Sequence, residues 1–153
     1  MKKKSLLPYE KKNYHLHWCK ADPFGRFVIL VVGDYREAIK ECKRKFKSCD
    51  SSFKNSFFEE VVEIIDENPT WGDPSSCGRT IQKGGDVFVY FPTFPTPGTL
   101  AHELLHAVDD ILKSAGVKDT HGETDAYLLG YIFEHFFSVL EKDKKESLQN
   151  ENR

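Results

Sequence analysis

The chain has no apolar run approaching the roughly 18 residues that a membrane-spanning helix needs. Its four cysteines (Cys19, Cys42, Cys49 and Cys77) include no CxxC pair. Charge is nearly balanced, with 22 Lys and Arg against 24 Asp and Glu leaving a net -2. Each lack removes a class of function. Without an apolar run, a membrane-embedded protein is not expected. Without a basic excess there is no electrostatic case for gripping a phosphate backbone, so nucleic acid is not an expected partner. Without ligand-spaced cysteines, neither a zinc finger nor a disulfide scaffold is expected, and reduced thiols in a cytoplasm are the better reading. The start, Met1-Lys2-Lys3-Lys4-Ser5-Leu6-Leu7-Pro8, is positive but has no hydrophobic stretch behind it, so it does not read as a secretion signal. No internal repeat is visible.

What remains, 153 residues at 39% hydrophobic and 30% charged, fits one globular domain with a proper core. The lysine-rich residues 1–13 read as a flexible tail, 14–140 as the domain, and the charged 141–153 as a second, fraying tail. Within the domain, His15-Leu16-His17-Trp18-Cys19 alternates, which on a strand places His15, His17 and Cys19 on one face. Those three could form a second metal site, although a strand with ordinary polar contacts is the simpler reading. Arg26 to Val32 is a β-branched run and reads as a buried strand ended by Gly33. Asp34 followed by Glu37 reads as a capping box opening a helix whose inward stripe is Ala38, Ile39, Cys42 and Phe46. The lysines between them are its solvated face. A second helix runs from Phe57 to the Asn68-Pro69 stop. Trp71 to Ser76 is a turn-rich connection. Strands at Arg79–Gln82 and Asp86–Phe91 then flank Lys83-Gly84-Gly85, a hairpin signal.

The chemistry is concentrated in His102-Glu103-Leu104-Leu105-His106, an HExxH pattern. Residues four apart lie about one helical turn apart, so both imidazoles face one way and can bind one metal ion. Glu103 between them is placed to take a proton from water at that metal. Thr96-Pro97 supplies a helix start and Gly116 a stop. At 100° per residue, Leu100, Leu104, Ala107, Val108, Ile111 and Ala115 make a core face. His102, Glu103, His106, Asp109 and Asp110 fall in a wedge on the opposite side. Random ordering of this composition would produce HExxH only about 2% of the time, which favours a metal site over a plain solvated face.

A catalytic zinc takes three protein ligands and leaves a position open. The metzincin extension is excluded, because Asp109 and Leu112 stand where it needs a glycine and a histidine or aspartate. Seventeen residues after His106, Glu123 begins Glu123-Thr124-Asp125-Ala126-Tyr127-Leu128-Leu129-Gly130-Tyr131. A helix there has a core stripe of Leu129, Ile132, Phe133, Phe136, Phe137 and Leu140, and Ala126 with Gly130 would let it approach the HExxH helix closely. Glu123 is the leading third ligand, with His121 and Asp125 as alternatives. Thr120 and Glu123 also form a capping box, which would occupy the glutamate with backbone instead.

Leu100 to Ala107 followed by Glu123 to Tyr131 resembles the two metal helices of small gluzincin-type zincins, specifically the compact HExxH proteins carried by phages and bacterial mobile elements. The likeness covers about a third of the chain. It implies a zincin-like α+β fold: a small mixed or antiparallel sheet packed on helices, with the HExxH helix followed by a Glu-bearing helix. It also implies a Zn²⁺-dependent peptidase acting on a peptide or protein. His102, His106 and Glu123 would hold the metal and Glu103 would be general base. Asp109 or Asp110 would orient a histidine, and Tyr127 or His121 would steady the oxyanion. The strand Asp86–Phe91 would pair with extended substrate, as the edge strands of zincins do. The competing expectation is a zinc-stabilised binding or regulatory protein of the same fold without useful turnover. Nothing in the sequence sets an oligomeric state.

Overall fold

The computed structural model describes residues 12–47, 55–118 and 122–152. Residues 1–11 of the expected N-terminal tail, the segment holding Cys49, and Thr120 and His121 lie outside the described residues. Along the chain come β1 (Tyr14–Ala21), β2 (Arg26–Gly33), α1 (Tyr35–Lys45), α2 (Asn55–Asp66), a 3-10 turn (Pro69–Gly72), β3 (Arg79–Lys83), β4 (Asp86–Phe91), α3 (Pro97–Ser114) and α4 (Glu123–Glu151).

The four strands form one mixed sheet in the order β1-β2-β4-β3. β2 and β4 run parallel at its centre, and β1 and β3 pair antiparallel on the outside. A parallel pair must be covered on both faces, and its strands then read as unbroken apolar runs. That is what Val28–Val32 and Val87–Phe91 are, all buried. Alternate residues feed two separate cores. Val28, Leu30, Val32, Val87, Val89 and Phe91 pack with α3 and α4. Ile29, Val31, Ile81, Phe88 and Tyr90 pack with α1 and α2. The fold is thus α+β with helices on both faces of a mixed sheet.

Local chemistry explains the boundaries. Gly84 and Gly85 take φ +62° and +88°, the left-handed pair of a two-residue hairpin, and hold Lys83 opposite Asp86. The Asp34 carboxylate caps α1 by accepting from the backbone N–H groups of Arg36 and Glu37. The expected box is only half formed, because Glu37 turns outward to Lys40 while the Asp34 N–H donates to the Asn13 carbonyl. The inward stripe of α1 is buried as read from its spacing.

Three expectations are corrected. Asp86–Phe91 is not an edge strand: β4 is paired on both sides, and among the described residues the free edge beside it belongs to β3. Residues 141–151 are not a separate fraying tail, since α4 continues through them to Glu151 and Asp143 contacts β1. Cys19 shares the His15 and His17 face but is core, only 6% exposed, and burial pushes its thiol up to about 12, well away from a ligating thiolate. Among the described residues no helix is long and apolar enough to cross a membrane.

The two faces of α3 make a direct test of this packing. Leu104 is fully buried whereas the adjacent Leu105 is 43% exposed. Leu104→Ala is expected to cost about 2–5 kcal/mol in urea denaturation. Leu105→Ala is expected to stay within about 0.5 kcal/mol of the parent. Equal costs would mean that α3 is rotated from the orientation described.

Candidate functional site

Helix α3 begins as its sequence dictates. The Thr96 hydroxyl accepts from the Thr99 N–H at 3.2 Å, and Pro97 occupies the first turn, where its missing N–H leaves no intrahelical bond unmade. At the other end the Gly116 N–H returns to the Lys113 carbonyl with φ +70°. Between these limits the helix lies on β3 and β4 and presents Leu100, Leu104, Ala107, Val108, Ile111 and Leu112 to the core. Ala115, expected in that stripe, is exposed, because the helix has already ended.

One turn apart on the outer surface, His102 and His106 bring their Nε2 atoms to 3.2 Å. Their rings are nearly perpendicular, with centroids 4.8 Å apart. Two nitrogens bound to one tetrahedral zinc, each at about 2.0–2.1 Å, stand about 3.4 Å apart. The pair therefore already has the spacing of two ligands, and both residues are exposed to incoming metal.

Glu103 departs from the expected wedge. It is 5% exposed and turns toward the sheet rather than sharing the histidines' open surface. The helical angle separates residues 102 and 103 by 100°, enough to put one at the water and the next in the seam with β3. There the Thr80 hydroxyl lies 2.8 Å from Glu103 Oε2 and 3.0 Å from the Glu103 carbonyl oxygen, positioned to donate to either. Burying a carboxylate without a donor is costly, and Thr80 supplies one. Gly78 makes the room: a Cβ there would fall 2.8 Å from Glu103 Cγ and 2.2 Å from the Phe91 ring. Neither Thr80 nor Gly78 stands out by motif. The signal available was hairpin parity, since Thr80 pairs with Val89, which faces α3.

Asp110, one turn beyond His106, is half-buried. Burial pushes its carboxyl up from the ordinary value; Lys113 opposes this, neighbouring Asp109 adds to it and His106 opposes it. Asp110 is thus within electrostatic reach of His106, while Asp109 is half-buried beside it.

Glu123 is the first residue of α4 and is exposed. Gly122 precedes it with φ +76°. The capping box proposed from Thr120, and His121 itself, fall outside the described residues. With Ala126 and Tyr127, Glu123 lines a surface cavity of about 310 Å³. Tyr127 is 80% exposed and Asp125 half-buried. The buried stripe of α4 is Leu128, Ile132, Phe136 and Leu140, spaced four apart, with Leu129, Phe133 and Phe137 only partly buried beside it. Ala126 and Gly130 are exposed, and space around Gly130 is open, so they do not mediate the packing on α3. The structure thus brings His102 and His106 together and sets Glu103 beneath them. Among the described residues it assembles no group of three His, Cys, Asp or Glu side chains at metal-holding geometry.

No protein-family model matches the chain, and no curated protein or solved structure matches it.

The Thr80 contact has a measurable weight. Thr80→Val removes the hydroxyl but keeps the branched shape, and is expected to destabilise by about 1–3 kcal/mol, with Thr80→Ser restoring most of the loss. Gly78→Ala is expected to destabilise as well, through contact with the Phe91 ring. Chemical denaturation of the three variants checks this; a neutral Thr80→Val would show that Glu103 does not depend on the hydroxyl.

Proposed function

We propose that this chain is a zinc-dependent peptidase in which His102 and His106, joined by Glu123, hold Zn²⁺ and Glu103 serves as general base. The observation that carries the reading is the 3.2 Å approach of the two Nε2 atoms on an exposed helical turn that also carries a glutamate. Two neutral imidazoles and one carboxylate are a donor set suited to zinc with a position left open. Bound zinc supplies Lewis acidity, lowering the pKa of a coordinated water and polarising a carbonyl. The rest falls to the chain. Glu103 Oε2 takes the proton from the attacking water and later passes it to the leaving amine. The Thr80 hydroxyl, bonded to the same oxygen, holds that carboxylate in one orientation. Asp110, one helical turn beyond His106, is the carboxylate placed to orient that imidazole. The resemblance to phage and mobile-element zincins points the same way.

The corrected sheet topology supports a mode of substrate binding. Among the described residues β3, not β4, has a free edge, and β3 carries Thr80 directly against Glu103. An extended peptide added along that edge would lie beside the general base. A polypeptide is thus the proposed partner, rather than nucleic acid or membrane, and Tyr127 at the mouth of the Glu123 cavity is the proposed oxyanion group.

One observation favours a second reading. Glu103 is buried and already bonded to Thr80, as a structural residue would be, which suits a zinc-stabilised binding protein without turnover.

Metal analysis and cleavage assays separate these. His102→Ala with His106→Ala is expected to abolish zinc binding at this site, and Glu123→Gln to weaken it. Glu103→Gln is expected to retain zinc while lowering peptide hydrolysis by about 10²–10⁴-fold. Full activity in Glu103→Gln would sink the general-base role. A zinc-loaded parent inert across a broad peptide library would select the second reading.

A further inference from the structure

At the opposite side of the sheet from β3, the outer strand β1 carries His15 and His17 on the face covered by α4. Both imidazoles converge on a single atom of that helix. His15 Nδ1 lies 3.1 Å from Asp143 Oδ2, and His17 Nε2 lies 2.5 Å from the same oxygen. The three side chains are 17–28% exposed, sheltered yet open to small solutes. They line a cavity of about 260 Å³, and Glu146, one helical turn beyond Asp143, lines it too. Phe94 packs against the His15 ring with centroids 4.9 Å apart. Cys19, the next residue on this face, belongs to the core and takes no part.

Two imidazoles and a carboxylate aimed at one point form a donor set that suits divalent transition ions. Other anchors in the cavity are engaged elsewhere: Glu41 accepts from Tyr14 and pairs with Lys12 and Lys45. We propose that His15, His17 and Asp143 form a second site for a divalent transition ion of the zinc type, with Glu146 or water completing the shell, and that the ion clips β1 to the C-terminal half of α4. The three donors meet here through hydrogen bonds rather than around a common centre, in keeping with the absence of a ready-made three-ligand group among the described residues. Two ligands of one zinc ion stand about 3.4 Å apart, so the His15 contact needs to widen by a few tenths of an ångström and the His17 contact by about 1 Å. The proton on each coordinating nitrogen moves to the other ring nitrogen or to solvent as the ion enters. Since the ligands come from the two ends of the chain, binding joins elements that have no covalent proximity and stabilises the folded state by mass action.

The test removes the HExxH pair first, so that its outcome is independent of the reading proposed for that site. In the His102→Ala, His106→Ala chain, calorimetric titration with Zn²⁺ is expected to show one equivalent bound, and added Zn²⁺ to raise the melting temperature. Adding His15→Gln and His17→Gln is expected to abolish both effects, and adding Asp143→Asn to weaken binding at least tenfold. Circular dichroism establishes folding of each variant. Should the double glutamine variant not fold, His17→Gln alone is expected to weaken binding at least tenfold. No binding in the His102→Ala, His106→Ala chain, or binding indifferent to folded His17→Gln and Asp143→Asn variants, would overturn the proposal.

Discussion

Everything in this molecule follows from the parallel pairing of β2 with β4. Two strands buried on both faces cannot be solvated on either side, so each face must be roofed by helices. Connectivity decides which. The segment after β2 folds as α1 and α2 over the face of Ile29, Val31 and Phe88, and the segment after β4 folds as α3 and α4 over the face of Val28, Leu30 and Val89. The HExxH helix is therefore a roofing helix before it is anything else. Its orientation is set by Leu100, Leu104, Ala107, Val108 and Ile111, and the histidines take what surface remains.

That constraint produces the tension at Glu103. A helix that seats Leu104 and Ala107 on the sheet must place residue 103 near the seam with β3 and residues 102 and 106 at the open surface. A carboxylate in a seam is stable only with a donor, which Thr80 provides, and with space, which Gly78 leaves. A general base held this way sacrifices reach for orientation. Proton transfer depends on the position of one oxygen, and an oxygen fixed by a hydroxyl on a neighbouring strand has little freedom to lose.

The local elements were legible in the sequence because each is specified by residues close in the chain. The β-branched run made β2, Gly84-Gly85 made the hairpin, Asp34 and Thr96-Pro97 opened two helices, and the four-residue spacing of His102 and His106 put their nitrogens together. What could not be read was decided by partners distant in sequence. A helical wheel gives angles about the helix axis but not the width of the layer beneath, so it places Glu103 with the open surface when the seam with β3 buries it. Strand order depends on the β2–β4 crossover, so β4 was expected at an edge that belongs to β3. Small residues at Ala126 and Gly130 permit close packing without requiring it, and the Leu128, Ile132, Phe136 stripe turned them outward. Charge density at 141–151 suggested a loose tail, yet contact of Asp143 with two β1 histidines gives that helical extension a partner.

Helix α4 links the two clusters, and its length keeps them apart. Glu123 and Asp143 are 20 residues distant on one helix, which at 1.5 Å per residue is about 30 Å. Screening at moderate salt acts over about 10 Å, so charge gained at one end is not felt directly at the other. Mutations at the two ends share no described partner and are separated by more than the distance over which effects usually couple. Any communication between them must pass through the helix as a rigid body. The buried Leu128-Ile132-Phe136-Leu140 stripe is what gives it that rigidity, seating the helix along the same core on which the HExxH helix rests. Loosening the β1 end of α4 would therefore reach Glu123 only by shifting the whole helix, whereas Glu103 and the two histidines, held by α3 and β3, would stay in place.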